Sequence, residues 1–259
     1  MTGQFNGRCR IAGLVSAVCT FGPAAAADLP ANMVTKAPPA PLRQNWTGFY
    51  DGVNVGGSWG HQRVSLDNAT TGTRLLSGSP SLNGAIGGAQ IGYNWQPFNR
   101  PWVFGLEADI QGSSQKSDGA FFVAGVTAPG IVAVPGDSIV YQDRLDWFGT
   151  LRGRIGWAIG ERSNWLPYIT GGLAYGQGTI SGSGTAGGVP VAFNTTNTYA
   201  GWVLGGGVEW AFWDRWSVKA EYLYVDFGRG PVIPLTPMLS INAGRMIDNI
   251  GRVGVNYHF

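Results

Sequence analysis

The sequence contains few charged residues. Lys, Arg, Asp and Glu make up 12% of the 259 residues, with 17 basic and 15 acidic side chains. Soluble domains carry about a quarter charged residues, so this supply is too small to cover a water-exposed surface of this size. The near-neutral balance leaves no basic face for nucleic acid. Because 44% of the residues are hydrophobic, the composition also excludes a disordered chain.

Cysteine is almost absent, and both copies lie near the amino terminus. Cys9 and Cys19 fall in a segment in which Arg8 and Arg10 precede an apolar run that ends in four alanines, 24–27. This order is typical of a secretory signal peptide, so we predict export with removal of residues 1–27. The mature chain then has no thiol, disulfide or cysteine metal site. Residues 28–45, with four prolines, read as an extended tether on the periplasmic side, and 46–259 as one domain.

Long apolar runs are also missing, since no mature segment has the roughly 20 unbroken apolar residues of a membrane helix. Instead, alternation with period 2 recurs in eight runs of about ten residues, the length of a membrane-crossing strand. The runs are approximately 48–60, 83–95, 102–110, 145–159, 166–177, 199–212, 216–227 and 249–259.

The connections between these runs alternate in length. Segments 61–82, 112–143, 178–198 and 228–248 are long, whereas 96–101, 160–165 and 213–215 are short. This rhythm is typical of outer-membrane barrels, with short turns in the periplasm and long loops outside. The sequence therefore predicts an all-β fold, an eight-stranded antiparallel up-and-down transmembrane β-barrel, with both chain ends in the periplasm.

Periodicity alone leaves a soluble barrel with an inward apolar face as an alternative. Two observations favour the membrane. Tryptophans cluster where runs meet short turns, which is typical of an aromatic belt at a membrane interface: Trp95, Trp102, Trp157, Trp165, Trp210 and Trp216, with Trp46 and Phe49 at the start of the first run. In addition, Arg152 and Arg154 would each cost about 2–4 kcal/mol if they faced lipid near the midplane, so we predict that the charged face points inward.

The inward positions predict a balanced lumen. They carry five residues of each sign: Glu107, Asp109, Asp146, Glu209 and Glu221 against Arg144, Arg152, Arg154, Lys219 and Arg252. Eight strands leave space for side chains and little more, which favours an ion-pair network that packs the interior. A narrow ion pathway stays open as an alternative. If Glu221 and Arg252 form a pair across the last two strands, replacing both should cost much less than replacing one.

The sequence offers little for catalysis. There are two histidines, His61 beside loop serines and His258 at the periplasmic rim, and neither position indicates a serine hydrolase site. Glu107 and Asp109 share a strand face, which would also suit a glycosidase, but no cleft or sugar platform accompanies them. No metal constellation, phosphate loop or dinucleotide fingerprint is present. We predict no enzyme activity and no cofactor.

Several short motifs carry a family resemblance. They are Ala27-Asp28-Leu29-Pro30, Trp46-Thr47-Gly48-Phe49-Tyr50, the run from Gly87 to Asn94, the segment from Pro167 to Gly176, and Tyr257-x-Phe259 at the end. In their order and spacing they resemble the small outer-membrane β-barrel proteins of α-proteobacteria, the porin-family surface antigens. One departure is Asp51, an outward position that is usually apolar in relatives; near the periplasmic interface its cost falls to about 0–1 kcal/mol.

The resemblance implies an abundant, surface-exposed protein of the Gram-negative outer membrane that contributes to envelope integrity and surface interactions. Its expected partners are outer-membrane lipid and lipopolysaccharide, the barrel-insertion machinery, and surface ligands contacted through the long loops. The alternatives are a narrow porin-like channel, or a surface protein that binds a ligand such as haemin, for which no ligand positions carry over. Val255, Tyr257 and Phe259 alternate outward in the last run, so we expect them to serve as an assembly signal while the run closes the sheet.

Overall fold

A computed structural model gives the structure of this chain, and it describes residues 43–98, 100–122, 137–186 and 188–259. The predicted signal peptide, most of the predicted tether, and part of the second long loop lie outside the described residues. Within the described ranges, no helix is both long and apolar enough to cross a membrane.

The described residues form eleven β-strands. Their bounds are β1 Gly48–Asn68, β2 Arg74–Gly78, β3 Ser81–Trp95, β4 Trp102–Ser113, β5 Lys116–Phe122, β6 Ser138–Trp157, β7 Trp165–Ala186, β8 Val189–Trp213, β9 Trp216–Arg229, β10 Val232–Thr236 and β11 Leu239–His258.

Eight of these strands close into a ring. The hydrogen-bonded order is β1-β3-β4-β6-β7-β8-β9-β11, and β11 pairs again with β1, so no edge is left open. Every pairing is antiparallel. The short strands β2, β5 and β10 extend the sheet at the long-loop end by pairing with β1, with β3 and β6, and with β11. The predicted eight-stranded barrel is confirmed.

The ring strands are longer than the predicted runs. The expectation of a long loop over 178–198 is wrong, because β7 and β8 pair continuously from Trp165 and Trp210 out to Ala186 and Val189. The Gly, Ser and Thr content of this segment suggested a loop, but small polar side chains also suit the outer face of a strand that has left the membrane.

Two aromatic girdles mark the membrane-spanning part. The six tryptophans of the predicted belt all lie exposed at the short-turn end, where Trp102 faces Trp157 and Trp165 stacks on Trp210 at centroid distances of 4.3 and 5.5 Å. A second girdle, which the sequence analysis missed, consists of outward aromatics nearer the long loops: Trp59, Trp147, Tyr175, Trp202 and Tyr222.

The spacing of the girdles matches a bilayer. Phe49 at the first girdle and Trp59 at the second are ten positions apart on β1. A strand that rises about 3.3 Å per residue and tilts by about 40° covers roughly 25 Å over that distance, the height of the apolar band of outer-membrane barrels. Exposed aliphatic side chains such as Val53, Leu106 and Ile169 fill the band between the girdles.

Beyond the second girdle the barrel continues with its faces exchanged. The inward side chains of this part, which we call the extension, form a buried apolar cluster: Val64, Leu66, Phe121, Ile139, Tyr141, Ile180, Ile233, Leu239, Ile241 and Ala243. Its outward side chains include Asp118, Gln142 and Arg144. The extension therefore has the arrangement of a soluble barrel, apolar inside and polar outside.

A β-bulge in β6 exchanges the faces. Leu145 pairs with Gly178 and Trp147 with Gln177, so β6 carries one extra residue, Asp146, at the second girdle. Even-numbered residues face inward below this point and odd-numbered ones above it. The prediction that Arg144 and Asp146 face the lumen is therefore wrong. They lie on the outer face of the extension and form an ion pair with each other at 2.7 Å. A bulge inverts the alternation because side-chain direction has period 2.

Candidate functional site: the closed interior of the barrel

The other eight residues of the predicted lumen network meet inside the membrane-spanning half. They are Glu107, Asp109, Glu209 and Glu221 with Arg152, Arg154, Lys219 and Arg252, all buried. Four carboxylates face four cations, so the group is neutral as a whole. The alternation of each strand brings these side chains inward, because the opposite face must present apolar groups to lipid.

Arg152 is the centre of this network. Its guanidinium reaches Glu107, Asp109 at 3.0 Å and Glu221 at 2.8 Å. Glu107 and Arg152 are also directly paired across β4 and β6. Arg252 closes the other side, at 2.9 Å from Asp109 and 2.7 Å from Glu221.

The contacts of Arg252 change one expectation from the sequence. Glu221 and Arg252 do pair across β9 and β11, but each has a second ionic partner, Arg152 and Asp109 respectively. Replacing the pair together would leave both of those partners with fewer contacts. We therefore no longer expect the double replacement to cost much less than the single one.

Several ion pairs cross the lumen rather than follow its wall. Lys219 on β9 donates to both carboxylate oxygens of Glu107 on β4, at 2.8 and 2.9 Å. These two strands are four steps apart in a ring of eight, so the pair spans the full diameter. The contact between Arg252 on β11 and Asp109 on β4 spans three steps. The interior is thus bridged from wall to wall.

Tyrosines and amides complete the polar layer. The Arg154 guanidinium lies between the rings of Tyr50 and Tyr168, 4.7 and 5.2 Å from their centroids, and donates to Glu209 at 2.9 Å. The hydroxyl of Tyr50 donates to Glu107 and that of Tyr168 to Glu221. Neither tyrosine was assigned to the lumen from the sequence, although their parity with the inward residues of their strands could have indicated this position.

The short-turn end of the barrel is closed by the segment that precedes β1. Trp46 is fully buried and packs in an apolar cluster with Val103, Ala158, Leu166 and Ala211. Its indole nitrogen donates to the backbone oxygen of Ser163 at 2.9 Å. Its place at the start of the first run predicted a position at the membrane interface. The structure instead places it across the mouth of the barrel, a position that strand periodicity cannot predict because the residue precedes the strand.

Apolar side chains close the opposite end. Above the ion pairs, a buried layer crosses the lumen: Leu82, Ile86, Leu145, Phe148, Ala174, Tyr199, Val203, Leu223, Val225, Phe227, Met246 and Ile250. The apolar cluster of the extension follows it. The ion-pair network is therefore enclosed by apolar side chains on both sides, and a second, smaller polar cluster of Ser58, Gln115 and Asp248 is buried within the upper apolar layer.

A serine, a histidine and a glutamate also meet at the short-turn end. Ser217 donates its hydroxyl proton to Glu209 and lies 3.0 Å from Nε2 of His258. The same Nε2 lies 3.3 Å from Glu209. In a catalytic triad the carboxylate contacts the other imidazole nitrogen and the serine proton points at the histidine. Here the serine proton is held by the carboxylate, so the arrangement is that of a buried polar cluster.

Comparison with known proteins agrees with this architecture. The family model of the outer membrane protein beta-barrel domain matches residues 14–259. The chain belongs to this family. It is 35% identical over 247 residues, which cover 91% of this chain and 95% of the relative, to a 31 kDa outer-membrane immunogenic protein of Brucella melitensis. It is 27% identical to a 22 kDa outer membrane protein of Rhizobium leguminosarum bv. viciae, over 68% of this chain and 67% of that one.

A solved structure shares the barrel at low identity. The outer membrane protease OmpT of Escherichia coli superposes with a TM-score of 0.53 at 10% identity, over 84% of this chain and 99% of that protein. This likeness concerns the fold alone. Together, the family model and the relatives identify the chain as an outer-membrane β-barrel protein of the α-proteobacterial type.

Proposed function

We propose that this protein is a closed barrel that does not conduct, and that its role lies in envelope integrity and in contacts made by its extracellular surface. The observation that carries the proposal is the bridging of the lumen by Lys219 and Glu107, with Trp46 below and apolar layers above. Ions crossing the barrel would have to break buried pairs, each of which costs about 3–5 kcal/mol when one partner is lost.

The exposed part of the barrel supports the surface role. The extension carries polar side chains outward beyond the second girdle and has a packed core of its own. A role confined to the membrane would not require an extension beyond it. The immunogenic outer-membrane relative from Brucella fits a barrel of this family that presents its loops outside the cell.

Planar-bilayer recording tests the closed interior against the rival channel. The wild-type protein should give no reproducible single-channel steps. The Lys219→Met variant removes one side of the diametric pair, and Arg144→Gln on the outer face serves as the control. Wild-type steps whose size changes with Lys219→Met but not with Arg144→Gln would establish the channel instead.

We infer further that the cluster of Ser217, His258 and Glu209 is not a hydrolase site. The hydroxyl of Ser217 donates to Glu209 and is fully buried, so no substrate reaches it. Replacing Ser217 with Ala should therefore change stability alone. Ester or peptide hydrolysis that disappears in the Ser217→Ala variant would contradict this inference.

We also propose that both chain ends face the periplasm, that export uses the Sec pathway, and that the last strand is read by the insertion machinery. Val255 and Phe259 are exposed on the outer face, and the amide of Phe259 donates to Phe49 across the closing seam. Removing residues 257–259 should leave the protein exported but not inserted. Normal surface labelling of residues 178–198 in that truncated chain would disprove the assembly signal.

A further inference from the structure

An arginine-lined pocket lies on the outer face of the extension, next to the second girdle. It has a volume of about 480 Å³ and is lined by Arg63, Arg74, Arg229, Arg245 and Asn242. These side chains come from β1, β2, β9 and β11, so four strands build the pocket. None of its arginines belongs to the lumen network described above.

The backbone forms this concavity through two glycines. β11 has an extra residue opposite β1 between Met246 and Ala243, and Gly244 lies in this bulge. A Cβ at Gly244 would come within 2.9 Å of the backbone oxygen of Arg63. Gly228, with a φ of 76°, lines the pocket on the β9 side. Both glycines let neighbouring strands approach closely, because a Cβ would meet the backbone oxygen of Arg63 at Gly244 and that of Ala200 at Gly228.

The positive charges of the pocket lie close together and are only partly neutralised. Arg229 and Arg245 are direct partners across β9 and β11, and like charges in such positions destabilise a sheet. Within the described residues, no carboxylate lies within 4.0 Å of Arg63 or Arg229. Arg245 contacts the buried Asp226 at 3.2 Å, and Arg74 reaches Asp67 at 4.0 Å. Four cations thus face two carboxylates, which leaves an excess of two positive charges for an anion to neutralise.

The other side of the extension shows what a neutralised outer arginine looks like. Arg144 on β6 also faces a cation directly across the sheet, Lys116 on β5. There, Asp146 lies 2.7 Å from the guanidinium on the same outer face. Neither Arg63 nor Arg229 has such a carboxylate, so the basic pocket is a local feature rather than a general property of the extension.

The height of the pocket indicates which anion it meets. Trp59 of the second girdle pairs with Asn249, and Arg63 and Arg245 lie four residues further along β1 and β11. At about 3.3 Å per residue and a tilt near 40°, the pocket lies roughly 10 Å above the girdle. With the long-loop end outside the cell, as proposed above, that is the headgroup layer of the outer leaflet, and the pocket opens outward from the barrel wall.

We propose that this pocket binds the acidic headgroup of an outer-leaflet glycolipid of the lipopolysaccharide type. Phosphate and carboxylate oxygens fit the guanidinium fork in bidentate pairs. The amide nitrogen of Asn242 donates to Asp67 at 3.3 Å, and its amide oxygen can accept from a sugar hydroxyl. The acyl chains of such a lipid lie along the apolar band beneath, where Val55, Tyr222 and Val253 are exposed to lipid.

Binding of lipid A that carries two Kdo sugars, which has both phosphate and carboxylate groups, tests the proposal with the full-length barrel in neutral detergent. The double variant Arg229→Gln/Arg245→Gln should bind at least 30-fold more weakly than the wild type. The control Arg144→Gln, which removes an outer arginine that already has a partner, should bind within 2-fold. Heat-modifiable migration on gels should be the same for all three proteins, which excludes misfolding as the cause of the loss.

Two competition arms identify the source of the anion. Neither inorganic phosphate at 100-fold molar excess over the lipid nor heparin, a sulfated polysaccharide, should displace the lipid from the wild-type pocket. Displacement by phosphate would show a free-anion site, and displacement by heparin a glycan site, and either would overturn the assignment. Equal loss of binding in Arg144→Gln would overturn it as well, because the attraction would then be unspecific.

Discussion

The membrane-spanning half and the extension are built from the same strands, but the outer face of the first contacts lipid and that of the second contacts water. Below the second girdle, apolar side chains point outward and ion pairs fill the lumen. Above it, apolar side chains fill the lumen and polar ones point outward. The period of 2 is the same in both, so the solvent outside each segment decides which set of residues faces inward.

β6 and β7 pass from the lipid-facing to the water-facing part of the barrel in two different ways. β6 keeps its alternation and inserts Asp146 as a bulge, which exchanges the faces. β7 keeps its register and changes composition, with Leu173 and Tyr175 outward in the membrane and Gln177 and Thr179 outward beyond it. In β6 a single bulge therefore moves a continuous pattern of apolar residues from the outer to the inner face. In β7 the faces stay the same, and the outward residues change from apolar to polar.

Leu145→Asp should have the largest effect, since it puts a charge among apolar side chains just above the bulge. Leu145 is fully buried, and an unpaired buried charge should lower the free energy of unfolding by more than about 5 kcal/mol, so the extension of β6 should detach. Cysteine labelling at position 139 against position 140 measures this, because Ile139 is buried and Val140 exposed in the wild type. The control Val140→Asp, on the outer face of the same strand, should preserve the fold of the extension. Unchanged labelling in Leu145→Asp would mean that position 145 does not face the packed interior.

The next largest effect is expected from Arg152→Met, compared with Arg144→Met on the same strand. Arg152 is buried among three carboxylates, so its loss should lower the free energy of unfolding by about 3–5 kcal/mol. Arg144 is a half-exposed surface arginine in a single ion pair, and its loss should cost less than about 1 kcal/mol. Urea unfolding in lipid bilayers measures both values. Equal costs would show that the two sides of the bulge are energetically alike.

Phe121→Ala should weaken the extension without affecting the membrane-spanning half. Phe121 is buried and stacks on Tyr141 at a centroid distance of 5.1 Å, so truncation should cost about 3 kcal/mol. The neighbouring Phe122 is exposed, and Phe122→Ala should change stability by less than about 0.5 kcal/mol. Hydrogen exchange should increase at residues 138–145 but not at 147–157 in the first variant. Faster exchange in both ranges would mean that the halves unfold together.

The smallest change, counted over a single pH unit, is a pH slope in the extension. Asp143 is buried above the second girdle, and this burial raises the pKa of its carboxyl from 3.8 to about 7. Tyr141 and Tyr199 lie near it, since its charge affects both of them. A carboxyl with a raised folded-state pKa stabilises the fold while protonated, so stability should fall as pH rises from about 4 to 7, by at most about 1.4 kcal/mol per pH unit. Protease resistance of the extension measures this slope, and Asp143→Asn should remove it. A slope that persists in Asp143→Asn would assign the effect to another group.

Much of this architecture could be predicted from the sequence, and the failures share a physical origin. Strand parity identified the inward Glu107 and Arg152 because β4 and β6 are regular through the membrane. It failed for Arg144 because one added residue inverts every position beyond it, and sequence alone does not show where a strand bulges. Trp46 was misplaced for a different reason, since its position depends on how the chain folds back under the barrel.

The pairs that cross the lumen also have a mechanical consequence. A hollow tube in a fluid sheet flattens when lateral pressure is uneven, because its wall bends more easily than it stretches. The contact of Lys219 with Glu107 joins opposite walls, and that of Arg252 with Asp109 joins walls three strands apart. They act as spokes, so the cross-section cannot become elliptical without breaking a buried ionic contact. The barrel therefore resists deformation when neighbouring proteins and lipids press on it.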